Sequence, residues 1–308
     1  MKLKILFLIG LIGIPVSHSR ACDICGCGAG NSYIGILPEF NQNIAGIRYR
    51  YNALLTHMGS NGEHTYLTTD ERYQIAEVWG GVTLGQRFRI MGTLPYAINS
   101  KTHQSHKMEK NGLGDASLWA YYQPLNYNSA IFKSKMLIQS LWIGGGLKLP
   151  TGQYAEDEAL TKNDANLFQL GTGSVDFMLG GIYDLRLQDV GISLNASYKM
   201  NTSNKYAYRY SNKLSGSVQF YYKFNIQNRF TFSPNTGLIY EHAGIDTRKG
   251  RKVLTSGGSI LLAGMGLEGM IKNKAVWGAS YHVPVRQDLA YGIVQAKDRV
   301  MVHIGWMF

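Results

Sequence analysis

The sequence is poor in charge, proline and cysteine. Of its 308 residues only 17% are charged, 7 are proline and 3 are cysteine. The low charge and a hydrophobic share of 45% exclude a disordered chain, and the 36 glycines follow no Gly-X-Y period, which excludes collagen. There is also no block of five or six basic residues, so the net charge of +11 does not indicate a nucleic-acid-binding protein.

Long apolar runs are absent as well. The longest unbroken run covers residues 5–16, whereas a membrane-spanning helix needs roughly twenty residues. The run follows Lys2 and Lys4 and leads to Ser19-Arg20-Ala21, which is the pattern of a secretory signal peptide. We therefore expect residues 1–21 to be cleaved after export, and we exclude a helical membrane protein.

Apolar residues at helical spacing are nearly missing, but period-two alternation recurs from about residue 40 to the end. Residues 190–199 alternate apolar and polar side chains without a break, and residues 214–224 and 300–308 show the same pattern. Exposure of the apolar face of each segment to water would be energetically unfavourable. The chain is therefore predicted to be all-β.

About twelve such segments can be counted, and most are longer than the five or six residues of an ordinary globular strand. They match the nine to eleven residues that a tilted strand needs to cross a bilayer. We predict a single transmembrane antiparallel β-barrel over residues 40–308. The predicted strands are 40–55, 72–84, 87–99, 113–124, 136–149, 174–187, 190–201, 207–224, 229–243, 257–271, 275–287 and 298–308.

The connections between these strands alternate in length. Outer-membrane barrels have short periplasmic turns and longer extracellular loops. With both termini in the periplasm, the even connections are tight, as at 85–86 and 188–189, and the odd ones are long, as at 100–112 and 150–173. One even connection, 125–135, is longer than expected. A secreted β-sandwich is the alternative, although its strands are normally shorter.

Aromatic residues fall where barrels carry girdles at the two membrane interfaces. Tyr49, Tyr51 and Tyr96 are predicted to face outward near the long loops. A second outward belt near the tight turns comprises Phe88, Tyr122, Tyr222, Phe224, Phe230, Trp277, Trp306 and Phe308.

Three glycine-rich stretches carry a family resemblance: GLGDASLW at 112–119, GGGLKLPTG at 144–152 and QLGTGSVD at 169–176. They resemble the outer-membrane transporter-like family named after the meta-cleavage pathway of phenol degradation, which is akin to long-chain fatty-acid transporters. The resemblance implies a barrel that moves small, apolar or aromatic molecules passively across the outer membrane. Phe308 is similar to the terminal aromatic residue that barrel-insertion machinery recognises.

The inward faces of the predicted strands carry more basic than acidic residues, so we expect a polar and slightly basic lumen. A basic lumen favours anions, whereas the resemblance implies apolar aromatics, and both interpretations stay open. Asp115 and Asp176 are either an acid pair at a substrate site or lumen partners for a nearby Lys or Arg. The loop 150–173 is the candidate gate or constriction. The candidate pore residues are Arg48, Arg50, Arg87, Arg89, Asp115, Lys148, Asp176, Arg186, Lys199 and Lys223.

Enzymatic motifs are absent: there is no nucleophile elbow, Walker loop, zinc-protease motif or dinucleotide fingerprint. We therefore predict that the protein is not an enzyme. Ser280, His282 and His303 project to one side of the last two strands, which offers a nucleophile and a base for an alternative barrel-embedded hydrolase. The other explanation is that they are ordinary polar residues of the lumen. A structural anchor is a further alternative.

All three cysteines, Cys22, Cys25 and Cys27, follow the predicted cleavage site. Thiolates at this spacing suit Cu or Zn, which suggests a copper-handling N-terminus as an alternative function. Other possibilities are one local disulfide with a free thiol, or lipidation of Cys22. Residues 22–39 are expected to enter or cap the periplasmic mouth as a plug, as the resemblance to fatty-acid transporters implies. The expected partners are outer-membrane lipid, the insertion machinery and a small-molecule substrate.

Overall fold

The computed structural model describes residues 42–59, 62–131, 135–155, 168–227 and 229–308. The predicted signal peptide, the cysteine segment and the candidate plug at 22–39 lie outside the described residues. Within these ranges, no helix is long and apolar enough to cross a membrane.

The described chain is built almost wholly from antiparallel strands, with one short 3-10 turn at Ala290–Gly292. The strands are β1 (Ile44–Thr56), β2 (Thr69–Leu84), β3 (Phe88–His103), β4 (His106–Leu113), β5 (Ser117–Ile131), β6 (Lys135–Lys148), β7 (Asp176–Leu187), β8 (Val190–Met200), β9 (Tyr208–Arg209), β10 (Lys213–Tyr222), β11 (Phe224–Ile226), β12 (Phe230–Ala243), β13 (Thr247–Arg248), β14 (Arg251–Lys252), β15 (Gly258–Ile271), β16 (Ala275–Leu289) and β17 (Gln295–Met307).

Twelve of these strands close a barrel. The first and last strands pair along almost their whole length, from Ile44 opposite Met307 to Leu55 opposite Gln295. Closure removes the exposed sheet edges that would otherwise leave backbone groups unpaired. The prediction of an all-β, single antiparallel barrel of about twelve strands is therefore confirmed. The order around the wall is β1, β2, β3, β5, β6, β7, β8, β10, β12, β15, β16 and β17.

The period-two pattern sorts side chains between the lumen and the outer wall. On β17, Ile304 is 61% exposed on the outside, whereas its neighbour His303 is only 7% exposed on the inside. The exposed face is the apolar one, which is the reverse of a soluble sheet and is typical of a wall that contacts lipid.

Aromatic side chains gather on the outer wall near the tight turns, as predicted. Phe88 and Tyr122 lie 4.9 Å apart between ring centroids, and Phe224 stacks on Phe232 at 4.7 Å. Tyr96 is exposed on the outer wall towards the long loops. Both belts therefore consist of outward-facing residues.

The connection predicted at 100–112 is a β-hairpin and not a loop. The third strand continues to His103, and β4 pairs back on it from His106 onward. Most side chains on this hairpin are polar or charged on both faces, so the alternation that marks a half-buried strand is missing. Backbone pairing without a buried face gives no periodic signal in the sequence.

The prediction of a long connection at 125–135 is also wrong. The fifth strand extends to Ile131 and β6 starts at Lys135, which leaves a connection of ordinary length. The register shifts between Tyr122 and Leu125, next to Pro124. A bulge of this kind breaks the alternation of side chains, and this break looks like a strand end in the sequence.

Candidate functional site

The three glycine-rich stretches meet around one buried lysine. Lys148, at the end of β6, is fully buried, and its Nζ lies 2.6 Å from Oδ2 of Asp115 and 2.9 Å from Oδ2 of Asp176. The same Nζ donates hydrogen bonds to the carbonyl oxygen of Ser174 at 3.1 Å and to the hydroxyl of Thr172. The two carboxylates are thus the partners of one lysine. We call these five residues the lysine clamp.

The carboxylates of the lysine clamp also fix the backbone of the long loop. Oδ1 of Asp115 accepts the N–H of Gly152 at 3.0 Å, and Oδ2 accepts the N–H of Thr172 at 2.8 Å. Asp176 accepts the hydroxyl of Ser174 at 2.9 Å. Buried charges are tolerated when they are paired and hydrogen-bonded in this way. Both ends of the loop are therefore held to the wall.

Glycine is required where the two ends of the loop cross. A Cβ added to Gly171 would lie 2.4 Å from Oδ1 of Asp115 and 2.8 Å from the Cα of Gly152. Contacts this short are sterically impossible without movement of the backbone. This geometry accounts for Gly152 in the second motif and Gly171 in the third.

Beyond the lysine clamp, the end of the loop folds into the lumen. Leu170 packs against Ile75 and Ala97, which face inward from β2 and β3. Phe168 packs against an apolar layer near the long loops. This layer lines the inner wall on six neighbouring strands, in the order β2, β1, β17, β16, β15 and β12. Several residues of this layer, including Tyr73 and Leu262, are fully buried, so water is excluded around them. The layer consists of Leu54, Tyr73, Ile239, Ala243, Ile260, Leu262, Leu289, Ala290, Val294 and Ala296.

Ion pairs face the lumen on β1, β2, β10, β12 and β17. Both Arg48 and Arg50 pair with Glu77, the latter through Nη2 to Oε2 at 3.0 Å. On the other side, Arg299 lies 3.2 Å and Lys213 3.5 Å from the carboxylate of Glu241. Each of these two clusters has two bases and one acid, so each carries a net positive charge. We call them the basic pairs.

Closer to the tight turns the lumen is lined by aromatic and sulfur-containing side chains, which corrects the expectation of a polar and slightly basic interior for this part of the barrel. Trp119 stacks on Tyr121 with ring centroids 5.4 Å apart, and both are buried. The sequence indicates this cluster, because Trp79 lies two residues after Glu77 and Trp119 two residues after Ser117. In a strand this spacing places both indole rings on the inward face. The aromatic cluster comprises Ile44, Trp79, Met91, Trp119, Tyr121, Trp142, Met178, Val276 and Met307.

The remaining pore candidates differ in position. Arg89 and Lys199 face the lumen and are buried, and Arg186 is half-buried on the inner face of β7. Lys223 lies between β10 and β11. Arg87 lies exposed in the three-residue turn before β3, because that strand begins one residue later than predicted.

The candidate hydrolase residues do not form a catalytic relay. Ser280 and His303 face the lumen, and Nε2 of His303 lies 3.1 Å from a carboxylate oxygen of Glu268. The hydroxyl of Ser280 has no hydrogen-bond partner among the described residues, so no base is aligned on it. The described residues also hold no group of three or more His, Cys, Asp or Glu that would suit a metal ion. The three cysteines lie outside them.

The barrel is similar to known membrane proteins. A family model described as the putative MetA-pathway of phenol degradation matches residues 57–282. An outer membrane channel from Pseudomonas putida F1 is 13% identical with a TM-score of 0.58, and the alignment covers 91% of this chain and all of that one. The β-domain of the Bordetella autotransporter BrkA is 12% identical with a TM-score of 0.54, covering 87% of this chain and all of that one.

Other solved structures are less similar to this chain. A FadL homologue from Pseudomonas aeruginosa is 10% identical with a TM-score of 0.31, and the alignment covers 87% of this chain and 90% of that one. No curated protein sequence matches the chain significantly.

Proposed function

We propose that this chain, which belongs to the family described as the putative MetA-pathway of phenol degradation, is a passive channel for small molecules in the outer membrane of a Gram-negative bacterium. One observation carries the proposal: a closed barrel with an apolar outer wall holds a charged lumen and a loop segment folded into it. Barrels that only anchor a protein need no such interior.

The outer wall supports the membrane placement. Its exposed face is apolar between two aromatic belts, and only closed sheets or helices satisfy backbone groups within lipid. The final residue, Phe308, is 68% exposed on the outside of the barrel. This position leaves it accessible to the insertion machinery as the chain enters the membrane.

The constriction is assigned to residues 168–174. They are held by the lysine clamp at one end and pack through Phe168 on the apolar layer at the other. A solute that enters from the long-loop end meets this segment before it reaches Glu77, because Leu54 of the apolar layer lies nearer to the long loops on β1 than Arg48, the partner of Glu77 in register. Loops of this kind determine selectivity on a rigid barrel wall.

The lining favours small aromatic solutes that carry an oxygen anion or a hydroxyl group. Rings pack well on the aromatic cluster, where the indole N–H groups of Trp79 and Trp119 have no hydrogen-bond partner among the described residues. The net charge of the basic pairs favours an anionic substituent. The two interpretations left open by the sequence are thus combined in one class of solute.

Liposome swelling tests the proposal. The solutes are benzoate, gluconate as a non-aromatic anion, the neutral phenolic glucoside arbutin and methyl glucoside. We expect benzoate to pass faster than gluconate, and arbutin to pass at least as fast as the smaller methyl glucoside. If no solute passes through either the wild type or the Phe168→Ala variant, the channel proposal fails and a structural anchor becomes the better explanation.

A further inference from the structure

A small sheet separate from the barrel lies among the long loops. Its strands are β9, β13 and β14, with Arg209 opposite Thr247 and Arg248 opposite Arg251. The two loops that form it, 201–212 and 244–257, contain six basic residues and a single acidic one. We call this element the basic sheet. Its basic residues are Lys205, Arg209, Arg248, Lys249, Arg251 and Lys252.

The one acidic residue of these loops does not neutralise the surface. Asp246 is fully buried, and its carboxylate accepts the Tyr208 hydroxyl at 2.6 Å and the Ser211 N–H at 2.9 Å. Its charge is used to hold the two loops together. Arg251 and Lys252 remain exposed to solvent, so the outer surface of the basic sheet is strongly positive.

A cavity of about 360 Å³ lies beside the basic sheet on the outer wall of the barrel. Tyr198, Leu214 and His242 face outward from β8, β10 and β12 and lie side by side in the strand register. Together they form its floor. The upper lining consists of Arg209, Tyr210, Ser211, Asn212, Gly244, Ile245 and Thr247.

Arg209 supplies charge to this cavity. Its Nε donates to the carbonyl oxygen of Asn201 at 3.0 Å and its Nη2 to Oδ1 of Asn212 at 3.4 Å. A guanidinium has five N–H donors in a fixed fork that matches the oxygens of a phosphate. Two of the five are used in these contacts, and the contacts hold the group at the cavity.

Below the cavity the wall turns apolar and contains a notch. The next outward row consists of Ala196, Gly216 and Tyr240, and a Cβ at Gly216 would meet only one atom, at 3.7 Å. The row after that is entirely aliphatic, with Leu194, Val218 and Leu238. From the long loops towards the middle of the barrel, the outer surface is thus first positively charged, then forms the cavity, and then becomes an apolar groove.

We propose that this surface binds a phosphorylated lipid of the outer leaflet, with its phosphate against Arg209 and the basic sheet and an acyl chain in the notch over Gly216. The inference rests on the membrane placement proposed above, which puts the long loops at the outer leaflet. Charge complementarity selects an anionic headgroup, since basic residues near a membrane surface attract anionic lipid. The apolar groove that continues below the cavity favours a lipid over a free phosphate ion.

The test uses the full-length protein in detergent micelles, titrated with bisphosphorylated lipid A and followed by native mass spectrometry. The variants are Arg251→Gln with Lys252→Gln, and separately Gly216→Leu, which fills the notch. A matched control, Lys272→Gln with Lys274→Gln, removes the same charge at the tight turn between β15 and β16. We expect binding to weaken about tenfold or more in the first variant, to weaken in the second and to stay unchanged in the control.

Several results would overturn the proposal. These are equal lipid binding by the wild type and both variants, an equal loss in the control, or undiminished binding of dephosphorylated lipid A. Competition by millimolar inorganic phosphate together with wild-type affinity in Gly216→Leu would indicate a bare phosphate site. Heat-modifiable gel migration verifies that each variant is folded. Swelling assays on the same preparations report separately on the channel, so the two proposals fail independently.

Discussion

The ammonium group of Lys148 and the carboxylate of Asp176 lie 2.9 Å apart with both side chains fully buried, and the two residues are direct partners in the register of β6 and β7. One immediately precedes the long loop and the other immediately follows it. The ion pair therefore closes the base of the loop, and Asp115 attaches this base to the neighbouring strand.

Replacement of the central lysine should release this loop. In Lys148→Met two buried carboxylates lose their counter-charge, which typically costs about 3–5 kcal/mol. We expect a lower midpoint of urea unfolding and faster proteolysis within residues 149–175. Arg72→Met is the matched control, because Arg72 pairs with Asp70 at 3.0 Å but is 58% exposed. Removal of such a surface pair costs no more than about 1 kcal/mol. Equal effects in both variants would contradict the clamp.

A single methyl group should separate the two ends of the loop. Gly171→Ala places a carbon against Asp115 and Gly152, and overpacking of this kind costs about 1–3 kcal/mol. Proteolysis of the loop should accelerate while the barrel stays closed on heat-modifiable gels. The control is Gly145→Ala in the second motif, where the added carbon would meet its neighbours at an ordinary 3.6 Å. A stable Gly171→Ala loop would disprove the steric argument.

Removal of the inward aromatic ring should widen the pore. Phe168→Ala deletes the side chain that packs on the apolar layer, so single-channel conductance in planar bilayers should rise several-fold. Phe88→Ala removes the same ring from the outer belt, where it is 56% exposed, and conductance should not change. No difference between the two variants would mean that the segment does not limit the flow of ions.

Charge selectivity should depend on the basic pairs. Arg50→Gln and Arg299→Gln each leave one base opposite one acid, so the cluster that carries the substitution loses its excess positive charge. The reversal potential in a salt gradient should shift towards cation selectivity, and the shift should shrink as ionic strength rises. Arg87→Gln is the control, because Arg87 lies exposed in a turn. A selectivity unchanged in all three variants would exclude the basic pairs as the selectivity determinant.

The cysteine segment gives a separate prediction. If Cys22, Cys25 and Cys27 bind a soft metal, copper or zinc should co-purify with the wild type and be lost when all three are changed to Ser, while the barrel stays folded. Metal content is measured by mass spectrometry of the purified protein. Metal that persists in the variant, or is absent from the wild type, would remove the metal hypothesis.

The barrel could be predicted from the sequence because the alternation of side chains that specifies each strand is a local pattern. Alternation at 190–199 and 300–308 fixes which side chains face lipid, and strand length and loop parity follow from the same pattern. The prediction failed where this pattern is interrupted, at the bulge beside Pro124, or where no face is buried, in the hairpin that ends at Leu113.

The candidate site was predicted only in part. Lys148, Asp115 and Asp176 were each identified as inward charges, but the sequence contains no information on which charge meets which across loops of different length. The apolar layer was missed for a related reason. Its residues come from six wall strands and a turn, which are far apart in the sequence. Apolar residues at inward positions, such as Leu54 and Ile260, interrupt the expected pattern of polar residues facing the lumen. Their role is evident only once a loop segment is seen to pack inside the barrel.

The apolar layer also links the packing of Phe168 inside the barrel to completion of the wall. Leu54 on the first strand and Ala296 on the last strand are direct partners in register, and both belong to the layer. The layer is therefore incomplete until the two ends of the chain have met. A barrel whose first and last strands have not yet paired lacks part of the layer on which Phe168 packs, so we expect this packing to be completed only when β1 and β17 pair.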